Sequence, residues 1–128
     1  MDLSEKKVNG GGGVRQIIIP IKSHIYQIVF WGTNGDDIIN VGALEDIVHT
    51  SAGYDIIILG SGNDTVIVEK GTGHSVIKDF DTTEDQLVLA AGVHIEDTEI
   101  IYDSLHLYTN FGGHVQFENM ADISELIL

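Results

Sequence analysis

The chain has 128 residues, enough for one domain, and 43% of them are hydrophobic, enough for a core. Acidic residues number 20 against 6 basic ones, a formal net charge of −14, which excludes the basic footprint of a nucleic-acid binder and electrostatic adhesion to anionic lipid. With no Cys there is no disulfide or thiol chemistry, and no apolar run approaches the roughly 20 residues of a membrane helix.

In chain order, residues 1–13 are polar, end on four glycines and read as a frayed tail, with no apolar run to serve as a cleavable leader. Residues 14–31 make the next division. A β-branched run over 14–19 stops at Pro20, whose missing backbone donor confines it to a sheet edge. Residues 21–31 are apolar on both faces and read as a strand that leads into the following segment and caps its open end.

Residues 32–67 carry the main signal. Four blocks of nine follow without a gap: GTNGDDIIN, VGALEDIVH, TSAGYDIII and LGSGNDTVI. Their sixth positions are Asp37, Asp46, Asp55 and Asp64, and their eighth are Ile39, Val48, Ile57 and Val66. A period held by both an acidic and an apolar position predicts a stacked repeat. Each first half, rich in Gly and small polar residues, reads as a tight turn; each second half, apolar at alternate positions, reads as a short strand. Two turns and two strands close one coil every 18 residues, and coils stack at the strand spacing of about 4.8 Å.

Stacking puts Asp37 over Asp55 and Asp46 over Asp64. Carboxylates held so close repel one another. A hard cation relieves this, and Ca²⁺ takes about six to eight oxygens from carboxylates and carbonyls. The expected ligands are these four aspartates and the turn carbonyls at positions one and three: Gly32 and Asn34, Val41 and Ala43, Thr50 and Ala52, Leu59 and Ser61. Positions seven and nine point outward and include Ile38, Ile56 and Ile58. That apolar strip is expected to be covered by the 14–30 segment or by a second copy in a homo-oligomer.

The four blocks resemble the RTX (repeats-in-toxin) nonapeptide G-G-x-G-x-D-x-U-x. The resemblance implies an all-β, right-handed parallel β-roll (β-helix) with Ca²⁺ between successive turns, an N-terminal strand cap and a C-terminal β cap. GTGHSVIKDFDTTEDQLVL (71–89) is similar to the family's exit from the roll, which adds Asp79 and Asp85 to the implied ligands. Two departures weaken the case for a further site at the 71–75 turn: Ser75 stands where a fifth Asp would fall, and residues 68–70 break the nine-residue count. The calcium-binding roll spans 32–81. The remainder, 82–128, reads as an all-β cap with strands near 99–102, 105–109 and 115–117 and a turn at 110–113. The last five residues, SELIL, are similar to the uncleaved terminal signal of some type I secretion substrates. With the repeats, this implies a secreted, extracellular protein.

Other chemistry finds little support. The six His lack short ligand spacing, no G-x-S-x-G elbow occurs, and no Gly-rich turn is followed by Lys-Ser/Thr. A non-enzymatic calcium-binding module is the first expectation. The alternatives from other classes are a carbohydrate-binding module, stacking Trp31, Tyr54, Tyr102 and Tyr108 on a polysaccharide, and an adhesive structural protein, for which only Thr65 supplies an outward threonine.

Overall fold

The structure, a computed structural model, describes residues 5–9, 15–18, 27–31, 35–43 and 45–120. Every element among them is a β-strand. β1 (Glu5–Asn9) and β2 (Arg15–Ile18) come first, then β3 (Gln27–Trp31) and β4 (Asp37–Asn40). β5 (Ile47–His49), β6 (Tyr54–Ile58), β7 (Thr65–Val68), β8 (His74–Lys78) and β9 (Gln86–Leu89) continue the series. Odd-numbered strands make one sheet in the order β1-β3-β5-β7-β9, and β2, β4, β6 and β8 are consecutive in a second. All pairings among these nine strands are parallel. The chain thus crosses from one sheet to the other at each turn and returns one layer further on.

The register follows the sequence period inside the blocks. Ile39 pairs with Ile57 and Val48 with Val66, each 18 residues on. These eighth-position side chains are 1% exposed or less and fill the space between the sheets with Phe30, Val41, Leu59 and Ile77. Outside the blocks the repeat length changes to suit longer connections: Tyr54 pairs with His74, and Thr65 with Gln86. Only backbone spacing between parallel strands has to be kept, so loops absorb the difference.

Residues 5–9, which fall in the stretch read as a tail, form β1 against β3, and β2 extends the second sheet beside β4. The N-terminal strands therefore add a coil to the stack. β2 lies beside β4 in the same sheet, while residues 14 and 19–26 of the segment expected to cover the outward isoleucines lie outside the described residues. Ile38, Ile56 and Ile58 are partly buried, and Val76, the next member of the Ile38–Ile56 row, is 3% exposed. Neighbouring layers of the same column supply much of the cover.

At the other end, β10 (Ile95–Ile101), β11 (Ser104–Thr109) and β12 (His114–Phe117) extend the second sheet, whose full order is β10-β11-β12-β8-β6-β4-β2. β12 joins β8 in parallel, while β11 and β10 follow antiparallel. Leu105, Leu107, Val115 and Phe117 carry the core into this extension, with Phe80, Leu89, Ala90 and Ile95 packed against it. β9, placed by sequence in the terminal division that starts at 82, is the last strand of the odd-numbered sheet. The SELIL terminus lies outside the described residues.

Candidate metal centre

The four repeat aspartates stand at the start of their strands, where a turn delivers the chain inward. Asp37, Asp46, Asp55 and Asp64 are each 1% exposed. Their layers interlock. The Asp37 backbone N–H donates to Asp55 Oδ1 at 2.9 Å, and the Asp46 N–H to Asp64 Oδ1 at 2.9 Å. The Asp55 and Asp64 carboxylates thus reach back to the layer before them. Asp85 continues the second column: it accepts the Asp64 N–H on Oδ1 at 2.9 Å and the Asp81 N–H on Oδ2 at 2.8 Å. The first column ends at Ser75, the register partner of Asp55. Its hydroxyl is fully buried and has no hydrogen-bond partner among the described residues.

Asp55 is the clearest electrostatic reporter. Burial pushes its carboxyl up from the ordinary 3.8 to about 6, against the pull of hydrogen bonds from the Asp37 N–H and the Ser51 hydroxyl. The charged groups acting on it, Asp37 and Asp36, are both acidic and push it further up. Asp85 is raised in the same way: burial dominates, the N–H groups of Asp81 and Asp64 oppose it, and the Asp81 and Asp79 charges add to it. Burial of this kind favours the protonated carboxyl, and a nearby positive charge would oppose it.

The turns stack as closely as the strands. A Cβ on Gly60, whose φ is +75°, would run into the Gly42 carbonyl oxygen, and one on Gly73 would lie 2.5 Å from that of Gly53. Only glycine allows that approach. Between the third block and the turn above, the Gly73 N–H donates to the Ser51 carbonyl at 3.0 Å and the His74 N–H to that of Gly53 at 2.9 Å. Those are positions two and four of the block. The carbonyls at positions one and three, Thr50 and Ala52, are not in this set.

The remaining expected ligands divide. At position one, the side chains of Val41 and Leu59 are fully buried in the core, so only their carbonyls are candidates. Ala43 and Ser61 are exposed turn residues. Gly32 and Asn34 lie outside the described residues. Asp79, with φ +54°, accepts the Leu59 N–H at 2.9 Å and the Gly60 N–H at 3.0 Å. Its two oxygens hold down the last turn of that flank.

At the 69–73 turn the stack is closed by hydroxyls. Thr50 and Thr72 hydroxyls hydrogen-bond each other; Thr50 Oγ1 also accepts the Glu69 N–H at 3.0 Å, and Thr72 Oγ1 donates to the Glu69 carbonyl at 2.8 Å. With Ser75 in place of an Asp, the interior contacts of this layer run through hydroxyls and backbone groups. Residue-type spacing did not signal that pairing, because Thr50 and Thr72 are 22 residues apart. Nor did it signal Asp36, whose carboxylate accepts the Tyr54 N–H of the next layer at 2.7 Å.

The aromatic residues considered for sugar stacking are largely engaged. Trp31 stacks on His49 at 3.4 Å, Tyr54 meets His74 edge-on, and Tyr108 stacks on His114 at 4.6 Å. Tyr102 is 97% exposed, at a hairpin tip. His74, His106 and His114 gather on the outer sheet face, with His106 Nδ1 2.7 Å from His114 Nε2. Burial and the two neighbouring imidazoles push His114 down to about 4. Among the described residues, no three His, Asp or Glu side chains form a metal-holding cluster. A cation between the layers would draw on backbone carbonyls as well as carboxylates. Such an all-oxygen donor set suits Ca²⁺ and does not suit a softer metal.

Fold and site together define a repeat protein whose stacked glycine-rich turns gather buried carboxylates and main-chain oxygens. Residues 31–66 and 42–73 match the family of the RTX calcium-binding nonapeptide repeat (4 copies). The match covers residues 31–73, the stretch that holds the four nine-residue blocks. No curated protein matched the chain, and no solved structure matched it.

Proposed function

We propose that this chain is a non-enzymatic calcium module, whose roll folds and gains stability when Ca²⁺ binds between its turns. The observation that carries the reading is the pair of aspartate columns, Asp37–Asp55 and Asp46–Asp64–Asp85, buried one layer apart with acidic neighbours around Asp55. Asp37, Asp46, Asp55 and Asp64, with the carbonyls of Gly32, Asn34, Val41, Ala43, Thr50, Ala52, Leu59 and Ser61, would hold the ions, and Asp85 would close the last site. Asp79 serves first as a cap on the Leu59–Gly60 turn. A bound Ca²⁺ supplies positive charge where the fold concentrates negative charge.

The cost of burying these carboxylates makes the empty roll weak, and mass action makes the loaded one strong. At a free calcium concentration one hundred times the dissociation constant, one site stabilises by about 2.7 kcal/mol. Extracellular calcium modules bind at about 10⁻⁴–10⁻³ M. A module of that affinity stays loose inside a cell and folds outside it, which suits export by a type I route. Calcium titration followed by far-UV circular dichroism, with equilibrium dialysis for stoichiometry, tests the reading. A strand signal and melting temperature that ignore both calcium and chelator would overturn it.

A further inference from the structure

We infer that the protein assembles head to tail with further copies of itself, the β10 edge of one copy joining the β2 edge of the next in a continuous parallel sheet. Among the described residues, the two strands end the same sheet at its opposite extremes. Counting through the pairings, β10 runs parallel to β2, since β11 is antiparallel to both β10 and β12 and the rest are parallel. A simple translation therefore presents β10 to β2 in the same sense as the internal pairs.

The register is continuous as well. One row runs Ile17, Ile39, Ile57, Ile77, Phe117, Leu105, Ile100. Its interior members from Ile39 to Leu105 are 1% exposed or less, whereas Ile100, at the end, is 47% exposed. Ile101 and Tyr102 beside it are 36% and 97% exposed. An open strand edge with uncovered apolar side chains is a template for one more strand. In the next copy, Ile17 holds the register position that continues this row.

Charge selects the partner. Glu96, Asp97 and Glu99 are all exposed on β10, so a two-fold pairing of β10 with itself would set like charges against one another. The opposite end is basic: Lys6 and Lys7 lie on β1 and Arg15 on β2. Of the six Lys and Arg in the chain, four fall in its first 22 residues, while residues 79–118 contain none. Opposite charge at the two ends of one stack favours a heterologous contact, which propagates instead of closing.

Sedimentation velocity and light scattering across micromolar to millimolar protein, in calcium, test this without depending on where calcium binds. The expected mass rises from that of the 13.9 kDa chain past two copies, and falls back in high salt as the screening length drops from about 10 Å to about 3 Å. Glu96→Lys with Glu99→Lys, and separately Lys6→Glu, Lys7→Glu and Arg15→Glu, should each weaken self-association at least about tenfold. Mixing the two charge-swapped proteins should restore it. Circular dichroism first establishes that each is folded; should the N-terminal variant lose its strand signal, the wild-type series and the β10 variant decide. A wild-type mass fixed at one copy, a mass that stops at two, or variants that associate as well as the parent would overturn the proposal.

Discussion

Replacing Asp55 by Asn should stabilise the protein without calcium and weaken it with calcium. In the calcium-free fold, holding Asp55 ionised at neutral pH means keeping a carboxyl pushed up to about 6 in its charged form. The gap from 3.8 to about 6, at 1.36 kcal/mol per pH unit, corresponds to about 3 kcal/mol. Asn keeps the shape. Its Oδ1 can still accept the Asp37 N–H, and its amide can donate to the Ser51 hydroxyl that now donates to Asp55 Oδ2 at 3.1 Å. In chelator at pH 7 the variant should gain up to about 3 kcal/mol in urea unfolding, or gain strand signal where the parent is largely unfolded. In saturating calcium the order reverses, because the amide brings no charge to the ion. The acid profile carries the same information. A carboxyl that holds its proton more tightly when folded stabilises the calcium-free protein fully below about pH 4, and this contribution is lost as pH rises through about 6. Asp55→Asn should flatten that decline. An Asn variant less stable than the parent in both chelator and calcium would refute the reasoning, since the carboxylate would then be worth more to the empty fold than its burial takes away.

Gly60→Ala should lose roughly 2 kcal/mol or more in urea unfolding, because it combines a positive φ with a collision against the Gly42 carbonyl. Gly112→Ala, with φ +80° and open space around it, should lose less. Asp79→Ala removes the acceptor of two turn N–H groups and should lower the free energy of urea unfolding by about 2 kcal/mol even in chelator; a loss confined to calcium buffers would make Asp79 a metal ligand alone. Ser75→Ala deletes a buried hydroxyl that has no partner among the described residues, and should be neutral or stabilising by about 1 kcal/mol. His114, pushed down to about 4, takes up a proton more readily in the unfolded chain, so its contribution is present at neutral pH and lost as pH falls from 6.5 through about 4. His114→Gln should make the calcium-free protein less sensitive to acid over that window, measured by thermal melts.

The sequence by itself determined the period and its two columns. Parallel strands repeat at one spacing, so residues 18 apart must occupy equivalent places, and Asp37/Asp55 and Ile39/Ile57 could be paired on counting alone. Alternation within each block likewise told inward Val66 from outward Thr65 and Ile67. The tertiary structure alone decided what lies outside that count. Offsets of 22 residues for β1–β3 and 40 for β8–β12 depend on loop lengths that carry no periodic signal. The bonding of the Asp55, Asp64 and Asp85 carboxylates to the preceding layer's N–H, the hydroxyl closure at Thr50 and Thr72, and the use of Asp79 as a turn cap are likewise set by how layers approach in space. Residue type announces that a carboxylate is present; only the packing says whether its nearest partner is an amide, a hydroxyl or another acid.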